Sequence, residues 1–195
     1  MKIKKVYFLK SISKTEDSPN YPFPEFAFMG RSNVGKSSLI NMITGKKDLV
    51  KVGSKPGVTK CINFFILNDN ISLVDLPGFG YAKLPKELKK TFLPLIKNYI
   101  RSRDNLKLVF LLIDIRRQPD EFEKDIITLL AEKHIPTAII TTKCDKLSKN
   151  LQIKNSKKIA SELLVDLDSL FPSSAKNGEG KKEILELIQE YYKTR

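Results

Sequence analysis

Apolar residues along the chain are spaced in two ways. Short runs that are continuous or nearly alternating, as in strands, take turns with stretches in which apolar residues recur every three or four positions, as in amphipathic helices. The pattern predicts strands at 3–10, 25–29, 61–67, 71–74, 106–115, 135–141 and 169–171, and helices at 36–45, 86–102, 120–133, 149–164 and 182–192.

Strands that alternate with helices are typical of a three-layer α/β domain with a mostly parallel sheet. Only a tight Asn-Asp-Asn turn separates residues 61–67 from 71–74, which favours one antiparallel hairpin at the edge. We therefore predict a three-layer α/β domain with a mostly parallel six-stranded sheet, one antiparallel hairpin edge and helices on both faces. It is predicted to be a single domain over residues 1–195, with 1–24 a short strand and loop extension.

A glycine-rich loop follows the strand at 25–29 and leads into the first helix. Its pattern, G-x-x-x-x-G-K-S, is that of a phosphate-binding P-loop in this strand-to-helix context. Backbone N–H groups of such a loop surround phosphate oxygens, Lys36 reaches the β- and γ-phosphates, and the Ser37 hydroxyl ligates Mg²⁺. A plain strand-to-helix turn is the alternative, but the full pattern with both flanks rarely arises by chance. The residues concerned are Gly30, Arg31, Ser32, Asn33, Val34, Gly35, Lys36, Ser37 and Ser38.

The strand at 71–74 runs directly into a D-x-x-G sequence, made of Asp75, Leu76, Pro77 and Gly78. In a P-loop protein, an acidic residue at this place holds Mg²⁺, commonly through water, and the glycine N–H meets a γ-phosphate. The pattern is weak alone, but after a P-loop and at the end of an apolar strand it indicates the second half of a phosphate site.

Two further sequences select the base. Thr142, Lys143, Cys144 and Asp145 follow one predicted strand, and Ser173, Ser174, Ala175 and Lys176 follow the next. The Asp145 carboxylate can accept two hydrogen bonds from the guanine ring N–H and amino group, a pair of donors that adenine lacks. Lys143 can lie over the ring and against the P-loop backbone. A backbone N–H of the second sequence can meet the guanine carbonyl, so the pattern favours GTP over ATP.

The chain carries 35 Lys and Arg against 22 Asp and Glu, a net charge of +13. This balance favours a polyanionic partner, either nucleic acid or another anionic surface. The alternative is a lysine-rich proteome that places Lys wherever the surface is free. The charges of the helix at 86–102 also have two interpretations: they form either a solvated face or a surface for a partner.

Several classes are excluded by composition. Cys61, Cys144 and the single His134 have no spacing typical of a disulfide framework or of metal ligands. No apolar run is long enough to span a bilayer, and neither a secretory signal nor a prenylation cysteine is visible. We therefore predict a cytoplasmic protein with no membrane partner.

The order of these sequences along the chain resembles that of the translation-factor-related small GTPases over almost the whole length. Residues 30–41, 55–59 and 75–82 are more narrowly similar to the EngB family, also called YsxC or YihA. Residues 21–25 and 114–116 are similar to that family as well. The stretch at 75–82 is the most family-specific of these.

The resemblance implies a switch that binds and hydrolyses GTP, assists assembly of the large ribosomal subunit and is linked to cell division. It places Mg²⁺ between Ser37 and Thr59, with Asp75 supporting the ion, and assigns catalytic roles to Lys36, Thr59, Gly78 and Asn33. Thr59 and Gly78 are the expected sensors of the γ-phosphate. Nucleotide contacts are also implied for Gly57, Val58 and Thr59.

Two residues bear on the rate of hydrolysis. Phe79 lies where Ras-like GTPases have a glutamine that orients the attacking water, and a phenyl ring has no donor or acceptor for that water. We therefore predict slow intrinsic hydrolysis. In related GTPases an asparagine at the position of Asn33 ligates a K⁺ ion, whereas the alternative is an asparagine suited to a tight loop.

Two functions of different classes remain open. The first is a GTPase assembly factor, by default a monomer, that docks on ribosomal RNA through basic loops. The second is a nucleotide-gated scaffold for protein partners that makes no direct RNA contact. Binding to RNA weakens steeply with salt, whereas binding through an apolar protein interface does not.

Overall fold

The structure, a computed structural model, describes residues 1–51, 61–79 and 86–193. In chain order its strands and α-helices are β1 (Val6–Ile12), β2 (Glu25–Gly30), α1 (Lys36–Thr44), β3 (Ile62–Leu67), β4 (Ile71–Asp75), α2 (Lys86–Ser102), β5 (Leu106–Asp114), α3 (Glu121–Glu132), β6 (Thr137–Thr142), α4 (Lys149–Leu163), β7 (Leu170–Pro172) and α5 (Lys181–Lys193).

The described residues form one sheet of seven strands in the order β1-β3-β4-β2-β5-β6-β7. The predicted number of six was wrong because β1 is part of the sheet: it pairs antiparallel with β3, with Val6 opposite Leu67 and Ile12 opposite Ile62. Hydrophobic alternation predicts a strand without showing which strand it will pair with. The mostly parallel sheet and the antiparallel β3–β4 hairpin were predicted correctly, since the pairs from β4 through β2 and β5 to β7 are all parallel.

The apolar residues of the strands form two cores, one on each face of the sheet. On one face, α1 and α5 cover aromatic side chains that include Phe28 and Phe110, whose rings stack at 4.7 Å. On the other face, α2, α3 and α4 cover a core that includes Met29 and Leu111. All six residues of β2 are buried, as expected for the central strand of a sheet covered on both faces. No helix within the described part of the chain is long and apolar enough to cross a bilayer.

A buried carboxylate anchors the amino end of β2. Glu25 is fully buried and forms an ion pair with Arg103, whose Nε donates to Oε2 at 3.1 Å. The hydroxyl of Tyr99 donates to Oε2 at 2.7 Å, and that of Tyr21 lies 2.9 Å from Oε1. Arg103 also donates to the carbonyl of Pro19 at 3.1 Å. The network ties the segment before β2 to the end of α2, at the edge of the sheet away from the predicted site.

Candidate functional site

Every predicted site sequence that the structure describes follows a strand at one edge of the sheet. Because β4, β2, β5, β6 and β7 are parallel, their carboxyl ends lie along this edge. Open α/β sheets bind ligands at this edge. Of the predicted residues, Gly57, Val58 and Thr59 lie outside the part of the chain that the structure describes.

The glycine-rich loop after β2 is shaped by two left-handed residues and one close approach. Gly35, with φ of 108°, and Asn33, with φ of 63°, turn the chain sharply before α1 begins at Lys36. A Cβ at Gly30 would lie 2.7 Å from the carbonyl oxygen of Leu112 on the neighbouring strand. The left-handed conformation of Asn33 accounts for this residue type without a bound cation, because asparagine tolerates that region.

The glycine loop is joined to the D-x-x-G segment by backbone hydrogen bonds. Ser32 N donates to Phe79 O at 2.7 Å, and Phe79 N donates to Gly30 O at 3.3 Å. A Cβ at Gly78 would lie 3.1 Å from Ser32 Oγ, so the two segments are in close contact there as well. A displacement of one segment would therefore directly displace the other.

A buried acidic residue faces the lysine of the loop. Asp75 is 2% exposed, forms an ion pair with the Lys36 amine and accepts a hydrogen bond from Asn63 Nδ2 at 3.3 Å. Ser37 follows Lys36 in the first turn of α1. A hydroxyl and a carboxylate are suitable ligands for Mg²⁺. Few protein ligands are needed at a nucleotide site, because phosphate oxygens and water molecules complete the coordination shell. No cluster of three or more His, Cys, Asp or Glu that could hold a metal occurs in the ranges described.

The segment after β6 is bound to the glycine loop at two points. The hydroxyl of Thr142 donates to Val34 O at 2.7 Å, and the amine of Lys143 donates to Asn33 O at 2.6 Å. Lys143 itself has a left-handed backbone, with φ of 62°. The predicted base segment and the predicted phosphate segment therefore form one connected unit.

The two predicted base-reading sequences also meet each other. Ser174 Oγ donates to Asp145 Oδ1 at 2.7 Å, and this hydrogen bond holds the pKa of Asp145 below its usual value. Cys144 is buried between them and its backbone N–H donates to Ser173 O at 3.2 Å. Lys176 N donates to Ser174 Oγ at 3.3 Å. An ionised carboxylate held in this way can accept hydrogen bonds from two neighbouring N–H groups of a ligand.

An acidic residue without a predicted role lies at the same edge. Asp114 ends β5, is 5% exposed, and lies beside Thr142 in the sheet register. Arg116 donates to its carboxylate from Nε at 2.9 Å and from Nη2 at 2.7 Å, and the Lys143 amine lies 3.1 Å away. Burial opposes ionisation, but the bonds from Arg116 and Lys143 outweigh it and lower the pKa of Asp114 to about 2. The sequence signal for this residue was its position, since an acidic residue at the end of a long apolar strand lies at the ligand-binding edge of the sheet.

A second missed contact joins the glycine loop to α3. Arg31 forms an ion pair with Asp120, the residue that caps α3, and the ring of Phe79 packs on that of Phe122 with centroids 4.0 Å apart. Glu123 completes a capping box, accepting from Asp120 N at 3.0 Å. No local pattern links Arg31 to a residue so far along the chain.

Replacing Glu123 by Gln is expected to flatten the pH dependence of stability. Burial first, and the adjacent Asp120 second, raise the pKa of Glu123 from 4.5 to about 8. Between these values the folded state keeps a proton that the unfolded state has lost, so the free energy of unfolding falls as pH rises. The limiting slope is about 1.4 kcal/mol per pH unit. Glu123→Gln keeps the capping acceptor but does not titrate.

Urea unfolding of both proteins at about pH 6 and about pH 8 measures this difference. Relative to the parent protein, Glu123→Gln should gain stability at the higher pH. A parallel loss of stability in both proteins would show that Glu123 does not hold the proton.

Known proteins are similar to this chain over nearly its whole length. Residues 25–143 match the model of a family described as 50S ribosome-binding GTPase. A probable GTP-binding protein EngB from Desulforapulum autotrophicum is 48% identical over 184 residues, which cover 94% of this chain and 95% of the relative. A protein of the same description from Christiangramia forsetii is 45% identical over 192 residues, which cover 97% of each chain.

Solved structures agree with the fold. The crystal structure of a probable GTP-binding protein EngB has a TM-score of 0.73 at 31% identity, and the match covers 88% of this chain and all of that one. A bacterial selenocysteine-specific elongation factor has a TM-score of 0.62 at 18% identity over 89% of this chain and 29% of its own, a likeness of fold alone.

Proposed function

Because this chain belongs to the EngB family of GTP-binding proteins and has the P-loop GTPase fold, we propose that it is a GTP-dependent switch that binds the large ribosomal subunit during assembly. The observation that carries the GTP part is the contact between the base segment and the glycine loop at one sheet edge: the Lys143 amine donates to Asn33 O at 2.6 Å. The ribosomal part is supported by the description of the matching family model.

Guanine recognition is assigned to Asp145, with Ser174 as the residue that holds it. The hydrogen bond at 2.7 Å fixes the carboxylate and favours its ionised form, the form that accepts from the guanine N–H and amino group. Ala175 follows in the same loop and is proposed to offer a backbone N–H for the guanine carbonyl. Adenine has no matching pair of donors, so the site favours GTP and GDP.

The phosphate half of the site uses the glycine loop, Lys36 and the segment from Asp75 to Gly78. Ser37 and Thr59 are the proposed ligands of Mg²⁺, with Asp75 supporting the ion through water, and Mg²⁺ would supply positive charge to the phosphate oxygens when bound. Gly78 presents its N–H beside the glycine loop, where the close contact with Ser32 couples the two segments. Loss of a γ-phosphate would therefore be transmitted through the hydrogen bonds of Phe79.

Hydrolysis is proposed to be slow in the isolated protein. Phe79 is 6% exposed and packs on Phe122, so its ring is part of the core and offers no hydrogen bond to an attacking water. A partner or cation must then complete the site. The requirement for K⁺ through Asn33 stays a prediction, as do the link to cell division and the monomeric state.

Ribosome binding is proposed to depend on charge. The net charge of +13 favours a polyanion, and the exposed Lys154, Lys157 and Lys158 lie within one turn and a half of α4. Binding through such groups releases counterions and weakens as salt rises. A protein scaffold that binds through apolar contacts would lack this dependence.

Sedimentation with purified large ribosomal subunits tests the proposal. The protein is loaded with GDP or a non-hydrolysable GTP analogue at low and high salt, and Lys36→Ala, which removes the phosphate-binding amine, serves as the control. We expect the parent protein to co-sediment preferentially with the GTP analogue, less at high salt, and the control to show no nucleotide preference. Nucleotide binding without co-sedimentation in either state would contradict the ribosomal part and favour the protein scaffold.

A further inference from the structure

We propose that Asp114 is a positioning residue for nucleotide binding: it holds the Lys143 side chain against the glycine loop, and so fixes the distance between the base and phosphate halves of the site. The inference rests on the proposed function, since it concerns how the same site binds guanine nucleotides. Asp114 is not part of any of the four sequences that predicted the site.

The geometry places one amine between two segments. Lys143 Nζ lies 3.1 Å from Asp114 Oδ2 and donates to Asn33 O at 2.6 Å. An ammonium has three N–H donors, and these two partners take up two of them. The aliphatic stem of Lys143 lies beside the glycine loop, since a Cβ at Gly35 would be 4.0 Å from Lys143 Cε. The side chain is thus held at its far end.

Asp114 does not need Lys143 to be neutralised. Arg116 donates to both carboxylate oxygens from its side chain and to Oδ1 from its backbone N–H at 3.1 Å. This set of bonds fixes the carboxylate from the side of β5, and its low pKa of about 2 keeps it charged over the whole working pH range. The contact therefore positions the lysine: the fixed carboxylate of Asp114 determines where the flexible amine of Lys143 lies.

Fixing a lysine before the ligand arrives has a measurable consequence. A free lysine side chain loses rotamer entropy when it is ordered. If Asp114 orders it in the unliganded protein, the ligand does not have to, and binding is tighter. The aliphatic stem of Lys143 is then ready for the guanine ring, and its amine already joins the base segment to the glycine loop.

The test is the dissociation rate of a fluorescent GDP from Asp114→Asn, measured by stopped flow. Asn keeps the shape and the acceptor oxygen but removes the charge that attracts the amine, so we expect dissociation to be about tenfold faster, or about 1.4 kcal/mol. The ratio of affinities for GDP and inosine diphosphate, which lacks the amino group, should not change because Asp145 is intact. Asp168→Asn, which alters an exposed carboxylate, is the matched control.

A double-mutant cycle separates positioning from general damage. In the Lys143→Met background, Asp114→Asn should change dissociation less than twofold, because the residue through which it acts is gone. The same effect in both backgrounds, or no effect in the parent, overturns the proposal. If Asp114→Asn does not unfold cooperatively, Asp114→Ser takes its place, and failure of both variants to fold assigns Asp114 to stability and overturns the proposal. Absence of GDP binding by the parent protein is a different result, since it overturns the proposed function itself.

Discussion

Replacing Asp145 by Asn is expected to change the preference of the site from guanine to xanthine nucleotides. The carboxylate accepts two hydrogen bonds from guanine, whereas a carboxamide has one acceptor and one donor group. The donor group then faces the guanine amino group, which is also a donor, and both are left without a partner. Xanthine has a carbonyl oxygen at that place and can accept the new hydrogen bond.

The effect on nucleotide affinity should be large, and the structure of the loop should not change. A site built to hydrogen-bond a substrate group rejects an analogue that cannot pair with it by about 10⁴- to 10⁵-fold. Because one of the two hydrogen bonds to guanine is kept, we expect GDP affinity to fall by less, about 10²- to 10³-fold. Ser174 Oγ, which donates to Asp145 Oδ1 at 2.7 Å, can donate equally to the amide oxygen, so the loop should keep its shape. Calorimetric titration with GDP and xanthosine diphosphate measures the exchange.

The control for this substitution is Asp168→Asn, which removes an exposed carboxylate from the segment between α4 and β7. It should bind GDP like the parent protein. If Asp145→Asn bound GDP as tightly as the parent, the base would have to be read elsewhere, and the assignment of Thr142 to Asp145 as the base segment would be wrong.

Of the substitutions proposed for this protein, Arg103→Met should cause the largest decrease in the free energy of unfolding. Glu25 is fully buried, and the substitution removes the cation that neutralises it while leaving its carboxylate in the core. Breaking a buried ion pair from one side costs about 3–5 kcal/mol in the free energy of unfolding. Because Tyr21 and Tyr99 still donate to the carboxylate, we expect a value of about 3 kcal/mol, at the lower end of that range.

Urea unfolding followed by circular dichroism measures this loss, and the pair Glu25→Gln with Arg103→Met is the matched control. With both charges removed, the buried group is neutral and most of the stability should return. GDP affinity of folded Arg103→Met should stay within about twofold of the parent, because the network lies at the opposite edge of the sheet from the site. A loss below about 1 kcal/mol would show that the ion pair with Glu25 is not a main source of stability.

Local patterns predicted most elements of this fold. The helix predicted at 86–102 is α2 with the same bounds, and the apolar run at 106–115 is β5 to within one residue. Both depend on spacing within one segment, which the sequence displays directly. The place of β1 beside β3 depends instead on a pairing across more than fifty residues, and alternation carries no information about it.

The candidate site divides in the same way. The glycine loop, the D-x-x-G segment and the two base-reading sequences are contiguous, and their order along the chain pointed to one sheet edge. The ion pair of Arg31 with Asp120 and the contact of Asp114 with Lys143 join residues that are distant along the chain. They arise from the parallel arrangement of the strands and from side-chain reach, so a structure was needed to find them.

The central position of β2 has a consequence for how the protein is made. This strand is complete at residue 30, whereas its neighbours β4 and β5 are complete only at residues 75 and 114. Domains with such distant pairings fold slowly, and unpaired apolar strands in incomplete chains are prone to aggregate. While residues 31–114 are being added, the chain therefore carries Phe26, Phe28 and Met29 without both neighbouring strands. The nascent chain, more than the finished protein, is the form that a cell has to protect.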